Sequence, residues 1–405
     1  MKAKSRLVDL LFGKLKQHDQ NYWFCGRRLR GGSFCIERYP KPSYTRTTAQ
    51  DTQRNKFKDA INAWKALSPG EKEEWNRNAE PFGLTGYQYF IQQYLLAPPP
   101  PPGIWYKVTI DNTGGSSLTG YQILINIVGD SQFFSDCENK REAIRLFDTD
   151  KETSISYWIE EWDTSNHNAR IWVKVPSIPA NASKDIYISV DPDRTTDASS
   201  GDDTFLFFDD FNDLSKWADH SGGYITASDS ILTITNDAHD TGWHYLYHDL
   251  GAAYKIRFLA RARCTDDGNF ASHQFLLSNA TLSAWDDSPP NSTGADFYDD
   301  SKYAKIRVVD TSDTQTFAEY TPYSLNTWYR FFGKYPDSIY IYSDDYGTTH
   351  ASQTGVTGTF NDVRYIYVQT RPKYDQTAQT SEWDFLAVMK YATPDPTVTY
   401  TKETT

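Results

Sequence analysis

The stretch "ISYWIEEWDTSNHNARIWVKVPSIPANASKDIYISV", from Ile155 to Val190, decides the fold class. It contains three runs in which apolar or aromatic side chains alternate with polar ones, and Asn, Asp, Ser and Pro separate the runs. Alternation with a period of two predicts strands that bury one face, and the separating residues favour turns. The stretch therefore predicts an antiparallel β-sheet.

The same pattern continues on both sides of this stretch. Runs such as "WYKVTIDN" and "GYQILINIV" precede it, and "YKIRFLARARC", "TWYRFFGKY" and "EWDFLAVMKYA" follow it. Aromatic residues make up 15% of the chain, which favours β-sandwiches over helical bundles. We expect an antiparallel sandwich followed by a larger two-sheet jelly roll.

Residues 1–97 differ from the rest of the chain. The opening "MKAKSRLVDLLFGKLKQ" has too short an apolar stretch for a secretion signal and favours an amphipathic helix. The leucines on its apolar face are Leu7, Leu10, Leu11 and Leu15. Two β-like runs around an Arg-Gly-Gly turn then predict a hairpin with Cys25 and Cys35 on its two arms, and a disulfide between them stays open.

Three short helices are predicted after this hairpin. Apolar residues recur every three to four positions between Phe57 and Trp64, which is the helical period. Ser68 with Pro69 and Glu71 predicts a capping box at the start of the second helix. The run "YQYFIQQYLL" predicts the third.

The predicted fold class is therefore multidomain and mainly β, with a small helical N-terminal module, two antiparallel sandwiches and a stiff proline spacer, "APPPPPG". The predicted segments are an N-terminal arm (1–48), a three-helix module (49–97), a polyproline linker (98–103), a β-sandwich (104–200), a jelly roll (201–393) and an extended tail (394–405).

Charge divides the chain in the same place. Residues 1–97 contain 17 Lys and Arg against 9 Asp and Glu, whereas residues 98–405 contain 24 against 44. The net charge is thus +8 before the prolines and −20 after them, which gives the overall −12. This asymmetry predicts an anchoring region and a displayed region with different partners.

Three resemblances extend this interpretation. Residues 105–208, with "YWIEEWD" and "WVKVPSIPANASKDIYI", resemble a domain family of unknown function from bacterial and archaeal surface proteins. Residues 209–393, with "FDDFNDLSKW" and "EWDFLAVMKYATPDP", resemble concanavalin A-like or laminin-G-like sandwiches. Residues 1–97 resemble structural modules of phages and archaeal viruses, and "AWKALSPGEKEEWNRNA" also resembles the core of a DNA-bending HMG box.

Catalytic chemistry is not predicted. Glycoside hydrolysis requires two carboxylates about 5 to 9 Å apart on either side of the sugar. The resemblance to concanavalin-like glycosidases implies carboxylates spaced as Glu-x-Asp-x-x-Glu or Glu-x-Asp-x-Glu along one strand, and no strand provides that spacing. Glu160 and Glu161 are expected at an exposed strand end, and Glu382 and Asp384 stand alone. The prediction is a protein that is not an enzyme.

Carbohydrate binding requires exposed aromatic rings with polar groups beside them. The candidates in loop-like stretches of the last domain are Trp243, Tyr245, Trp285, Asp286 and Asp287. By contrast, Trp217, Trp328 and Trp383 stand at strand positions and are expected in the core.

Two further sites are predicted. The resemblance to jelly rolls implies a structural Ca²⁺ between the first and last strands, where carboxylates at Asp209, Asp210 and Asp384 would supply oxygen ligands. The alternative is that Asp210 caps a turn and Asp384 faces solvent. A basic anchoring arm, suited to an acidic protein surface or to DNA phosphates, comprises Arg27, Arg28, Arg30, Lys14 and Lys16.

These features favour a structural protein of a virus particle, either a capsid decoration or a tail or fibre component. Residues 1–97 would bind other virion proteins in a symmetric assembly, and the sandwiches would lie at the virion surface with host glycans as candidate ligands. The alternatives are a cell-surface adhesin or filament subunit and a DNA-binding protein acting through the HMG-like helices. No apolar run of about 18 residues exists, so no membrane span is predicted.

Overall fold

The chain divides into two compact units, Met1–Pro101 and Pro102–Thr405. The computed structural model describes three strands before residue 39, individual positions from 54 to 65, and then residues 67–96, 104–235, 242–266, 271–284, 286, 288–298, 302–372 and 379–403. The predicted proline linker at 98–103 lies outside these residues, and the predicted domain boundaries stay a prediction.

The first unit begins with a three-stranded antiparallel sheet, β1 (Leu15–Gln17), β2 (Gln20–Arg28) and β3 (Phe34–Arg38). The pairing of β2 with β3 confirms the predicted hairpin. The predicted amphipathic helix is wrong at its end, because Leu15 pairs with Tyr22 in the sheet. The rest of that helix and the side chains of Cys25 and Cys35 lie outside the described part of the chain.

Two helices follow, α1 (Pro69–Ala79) and α2 (Gly86–Leu96), joined by a 3₁₀ turn at Glu80–Phe82. The capping box is confirmed, because the Ser68 backbone N–H donates to the Glu71 carboxylate at 2.7 Å and the Glu71 N–H donates to the Ser68 hydroxyl at 3.3 Å. The described positions between 54 and 65 are also helical.

The core of this unit is small. Ala60, Phe90 and Ile91 are buried, and Trp64 and Trp75 pack on Phe90 with ring centroids 5.4 and 5.0 Å away. Among the described residues of this unit, aromatic rings therefore pack around the few buried positions.

The second unit contains four antiparallel sheets, here called sheets I to IV. Sheet I has the order β26-β4-β10-β6-β7, with β4 Ile104–Asp111, β6 Ile144–Phe147, β7 Ser154–Ile155, β10 Ser183–Val190 and β26 Thr397–Lys402. Sheet II has the order β5-β9-β8, with β5 Leu118–Ile127, β8 Tyr157–Asp163 and β9 Asn168–Ile178.

Sheets III and IV form the larger sandwich. Sheet III has the order β13-β14-β25-β16-β21-β22-β23, with β11 also paired to β25; the bounds are β11 Phe207–Asp209, β13 Ile225–Ser228, β14 Ile231–Thr235, β16 Ile256–Asp266, β21 Tyr329–Lys334, β22 Ser338–Ser343, β23 Thr349–Thr354 and β25 Thr380–Lys390. Sheet IV has the order β12-β15-β24-β17-β18-β19-β20, with β12 Ala218–His220, β15 His244–Tyr254, β17 Ala271–Ser278, β18 Ser292–Tyr298, β19 Tyr303–Val309, β20 Gln315–Tyr320 and β24 Val363–Pro372.

The sheets stack in the order I, II, III, IV. One apolar cluster joins sheets I and II, and a larger one joins sheets III and IV. A third cluster, which includes Trp172, Leu259 and Phe385, joins sheet II to sheet III. Two short helices, α3 (Ser131–Asp136) and α4 (Gly201–Thr204), and a 3₁₀ turn at Arg141–Ala143 lie in the connections. The multidomain, mainly β fold class with a small helical N-terminal region is confirmed.

The predicted tail returns to the first sandwich. Strand β26 pairs with β4 from Thr397 opposite Asp111 to Lys402 opposite Tyr106, and so forms the edge of sheet I. Tyr400 donates to Asp130 at 2.9 Å, which ties the strand to the start of α3. The first sandwich is therefore completed by residues that follow the second.

Among the described residues, no helix combines the length and the apolar character that crossing a bilayer requires.

Candidate functional site

The outer face of sheet IV carries a row of aromatic side chains. Along β15 Leu246 lies in the core, so Tyr245 and Tyr247 lie on the outer face, as strand alternation requires. Opposite them on β24 stand Gln369 and Tyr367.

The rings in this row stack on one another. Trp243 and Tyr245 have centroids 4.0 Å apart and planes 19° apart, and His220 of β12 stacks on Tyr245 at 4.7 Å. Tyr247 stacks on Tyr367 at 5.9 Å. We call these five residues the aromatic ladder. His220 is exposed and Trp243, Tyr245 and Tyr247 are half-buried, so ring surface remains accessible to a ligand.

Two buried glutamines lie beside the ladder. The Gln369 amide donates to the Gln274 carbonyl oxygen at 2.7 Å and to the backbone oxygen of Asp286 at 3.0 Å, and it accepts from the Trp243 indole at 2.9 Å. Both glutamines are fully buried. Because a buried amide is stable only when its groups are paired, this chain of bonds fixes the position of the Trp243 ring.

The loop between β17 and β18 extends over the middle of the same face. The Leu282 N–H donates to the Tyr367 hydroxyl at 2.9 Å, and the Asp286 backbone accepts from Gln369. The Asp286 carboxylate accepts from the Ser288 N–H at 3.0 Å, which forms a local turn. The loop therefore covers the buried glutamines and leaves the rings of β15 beside it.

The structure brings together three of the five predicted carbohydrate residues, because Trp243 stacks on Tyr245 and reaches Asp286 through Gln369. Trp285 and Asp287 lie outside the described residues. Sequence reasoning missed His220, Tyr247, Tyr367 and the two glutamines. The signal that was available is the alternation in "HYLYH" and "YIYVQ", which places every second residue on the outer face.

The carboxylates farther along this face are held by cations. Asp296 is buried and pairs with Arg307, and Glu319 lies 3.2 Å from the Lys305 ammonium. In these pairs each carboxylate lies next to a fixed cation, which is the arrangement of structural ion pairs.

Two of the three predicted calcium ligands have other partners in the structure, and the calcium site stays a prediction. The Asp209 carboxylate accepts from the Trp217 indole at 2.5 Å and from the Phe211 N–H at 2.9 Å, and its burial raises its pKa. Asp384 instead pairs with Arg261 at 2.8 Å. In the described part of the chain, no group of three or more His, Cys, Asp or Glu residues is arranged to hold a metal ion. Asp210 therefore belongs to no such group.

The predicted basic arm falls on the N-terminal hairpin. Lys16 belongs to β1 and Arg27 and Arg28 belong to β2. Their side chains, and all of Lys14 and Arg30, lie outside the described residues, so the anchoring role stays a prediction.

The contact between sheets II and III corrects a further expectation. Glu160, expected at an exposed strand end, has a side chain with no exposed surface. Its carboxylate accepts from Arg330 at 2.5 Å, from the Trp172 indole at 2.7 Å, from Arg170 at 3.3 Å and from the Tyr346 hydroxyl. Glu160 lies two residues after Trp158, which packs on Phe385 of β25, so strand alternation places both side chains on the face of sheet II that sheet III covers.

A second charged cluster lies in the same contact. Asp395 accepts from the Tyr121 hydroxyl of β5 at 2.7 Å and from Arg257 of β16 at 3.1 Å, and lies 2.9 Å from the Lys334 ammonium. Burial opposes ionisation of Asp395, but Arg257 and Lys334 hold its pKa below the usual value. Gln122 adds a third link, because its side-chain carbonyl accepts from the Lys390 N–H at 3.0 Å.

The tryptophans expected in the core divide into two groups. Trp217 and Trp383 are buried, as predicted. Trp328 is only half-buried, and the guanidinium groups of Arg261 and Arg263 lie 4.3 and 4.6 Å from its ring centroid. The prediction for Trp328 is wrong because the residue precedes β21 and contacts the outer side of sheet III, where cation–π contacts take the place of apolar packing.

A domain of unknown function, DUF2341, matches residues 140–220. This match confirms the predicted resemblance to a domain of unknown function over residues 140–208. No curated protein matches the chain.

Several solved structures match part of this chain. The binding domain of botulinum neurotoxin serotype C1 matches with 8% identity over 43% of this chain and 43% of that chain, at a TM-score of 0.32, so the match spans less than half of the neurotoxin chain. A structure reported with endo-acting O-glycanases of the human gut microbiota matches with 11% identity over 46% of this chain and 98% of that chain, at a TM-score of 0.36. The laminarinase catalytic domain from Thermotoga petrophila matches with 10% identity over 42% of this chain and 81% of that chain, at a TM-score of 0.32. No residue role in this chain follows from these similarities.

Proposed function

We propose that this protein is a non-enzymatic display protein whose second sandwich binds glycans on the outer face of sheet IV. The observation that carries the proposal is the aromatic ladder held by a fully bonded buried amide pair. Sugar rings present C–H groups that pack on the faces of aromatic rings, and their hydroxyl groups bond to polar atoms beside them.

Preorganisation supports the same proposal. The Trp243 ring is fixed by its bond to Gln369, and Tyr367 is fixed by its bond from the Leu282 N–H. Side chains that are already ordered lose little conformational entropy when a ligand binds, which favours affinity from a shallow surface. The ion-paired state of Asp296 and Glu319 favours binding over hydrolysis on this face.

The test is a glycan-binding screen on the full chain, followed by calorimetry with the oligosaccharide that binds. We expect Tyr245→Ala to weaken binding about tenfold or more, because truncating a central aromatic side chain removes most of the stacking energy. The matched control is Tyr187→Ala, because Tyr187 is also half-buried and packs edge-on to a tryptophan, but on sheet I. Equal binding by both variants and the unmodified chain would exclude the ladder.

We further propose that the unit containing residues 1–97 attaches this protein to a virus particle. The contrast between +8 in residues 1–97 and −20 in the rest supports separate attachment and display regions. Cryo-electron microscopy of native particles tests the location. Density for the helical module within a capsid or tail lattice would support it, and density in a cell-surface fibre would instead support the adhesin alternative.

A further inference from the structure

A cavity of about 510 Å³ lies between sheets II and III. Strands β5 and β9 line one side and strands β16, β21 and β22 the other, and the segment before β26 lies at one end. The lining side chains that matter here are Arg170, Trp172, Arg257, Lys334, Tyr346 and Asp395. This cavity is separated from the aromatic ladder by the whole thickness of the second sandwich.

The charge of the cavity opposes that of the unit around it. Arg170, Arg257 and Lys334 face a single lining carboxylate, Asp395. Residues 98–405 as a whole have 44 acidic residues against 24 basic ones. Glu160 pairs with Arg170 behind the lining, and Asp395 pairs with both Arg257 and Lys334. Three cations thus share two carboxylates in a partly desolvated space, which a further anion would compensate.

Two of these cations have donors that the protein does not use. Arg170 donates to Glu160 only through Nε, and its two terminal nitrogens make no hydrogen bond within the described part of the chain. Arg257 is 4% exposed and uses its terminal nitrogens on Asp395 and the Gln122 backbone, while its Nε has no partner among the described atoms. A buried guanidinium donor without a partner is costly, so its retention in this wall calls for an explanation.

Aromatic rings hold both guanidinium groups in place. Arg170 lies 3.8 Å from the centroid of the Tyr346 ring, and Arg257 lies 5.0 Å from Tyr121 and 5.2 Å from Trp172. A stacked guanidinium presents its donors in a fixed plane, which suits the paired oxygens of a carboxylate, sulfate or phosphate group.

We propose that this cavity binds a small oxyanion, a carboxylate, sulfate or phosphate group, between Arg170 and Lys334. Asp395 repels an anion from its own end of the cavity, so the group lies toward the free edge of Arg170. Tyr342 and Asn126 in the same lining add neutral donors. The proposal is independent of the aromatic ladder.

The experiment is calorimetric titration of the full chain with sulfate, inorganic phosphate and glucuronate at constant ionic strength, with chloride as the balancing anion. Constant ionic strength is needed because sulfate and phosphate also stabilise proteins generally through exclusion from the surface. We expect saturable binding of at least one oxyanion. Comparing the three titrations shows whether an acidic sugar or an inorganic anion fits better.

Two variants connect the binding to the cavity. Asn126→Asp is expected to weaken binding about tenfold or more, because it replaces a neutral donor of the site with a negative charge opposite Arg170 in the pairing of β5 with β9. Asn126 is exposed, and its side chain makes no hydrogen bond to another described residue. Lys334→Gln removes one cation and is expected to weaken binding to a similar extent. The matched control is Lys184→Gln, because Lys184 forms a similarly covered ion pair with Asp148 on sheet I.

Binding that is lost in the two cavity variants and kept in the control supports the proposal. Heats that are equal in all four proteins would show a general anion effect and would overturn it. The absence of saturable heat with all three anions would overturn it as well. Since Asn126→Asp leaves the Asp395 cluster intact, this variant decides the question even if Lys334→Gln does not fold.

Discussion

The two contact layers on either side of sheet III are built differently. Between sheets III and IV the contact is almost wholly apolar, with residues such as Phe258, Phe275 and Leu386 nearly fully buried. Between sheets II and III, apolar residues such as Phe385 share the layer with two charged clusters around Glu160 and Asp395. The first layer is the interior of a sandwich, and the second is a junction between two sandwiches.

This difference shows what strand alternation can and cannot indicate. A strand buried on one face has a polar side that normally faces water. Sheet II is covered on both faces, and its second face carries Glu160, Arg170 and Trp172. The residue types match those of an ordinary exposed face, so the sequence alone does not distinguish the junction from a surface.

The largest effect on the junction between sheets II and III is expected from removing the charge of Glu160. Glu160→Gln leaves Arg170 without its counter-ion and Arg330 with Asp344 alone, so we expect a loss of about 3–5 kcal/mol in the free energy of unfolding. Chemical denaturation measures it, and limited proteolysis reports whether the sandwiches separate first.

The control for this change is Glu161→Gln. Glu161 is the next residue, its pKa is raised by burial, and it accepts no hydrogen bond within the described residues. We expect a much smaller change, because no buried cation depends on it. Similar losses in the two variants would show that the junction responds only to total charge and that the Glu160 bonds are not its basis.

A smaller effect, on the pH dependence of stability, is expected from a histidine in the layer between sheets III and IV. His273 is fully buried between sheets III and IV, its Nδ1 lies 2.8 Å from the Ser381 hydroxyl, and burial lowers its pKa to about 3. Unfolding restores an ordinary pKa of about 6.5, so between these values the unfolded chain binds one more proton. The contribution of the neutral, buried His273 to stability is therefore fully present above about pH 6.5, and it is lost as the pH decreases toward 3.

The measurement is the free energy of unfolding between pH 5 and 6.5, where most carboxylates remain ionised. His273 should contribute a slope of up to about 1.4 kcal/mol per pH unit, and His273→Leu should flatten the curve by that amount. His350 also has a pKa lowered by partial burial, so His350→Leu is the control for a less buried ring. A curve that His273→Leu leaves unchanged would contradict the assignment.

The features that the sequence predicts are those that depend on contacts close in the chain. The strands, the capping box at Ser68 and the burial of Trp217 and Trp383 follow from local periodicity and turn residues, because these reflect contacts close in the chain. The candidate site is predicted in part, since Trp243 and Tyr245 stand out as aromatic residues outside the buried pattern.

The rest depends on contacts that are distant in the chain. Glu160 is buried because sheet III covers the second face of sheet II, and no composition pattern in the sequence marks this contact. The pairing of β26 with β4 joins segments almost the whole unit apart. The glutamines beside Trp243 belong to β17 and β24, and only the strand order of sheet IV makes them neighbours.

The smallest effect on stability is expected at an exposed ion pair. Lys140 and Glu138 form an ion pair at 2.7 Å, nearly the same distance as the bonds to Glu160, but both side chains are about half exposed. Water screens this pair and two flexible side chains lose entropy in forming it, so we expect Lys140→Gln to leave the unfolding midpoint unchanged within error. If this variant instead lowered the midpoint as much as Glu160→Gln, distance and not burial would determine the strength of these pairs. The expected contrast attributes the strength of the Glu160 cluster to the exclusion of water between sheets II and III.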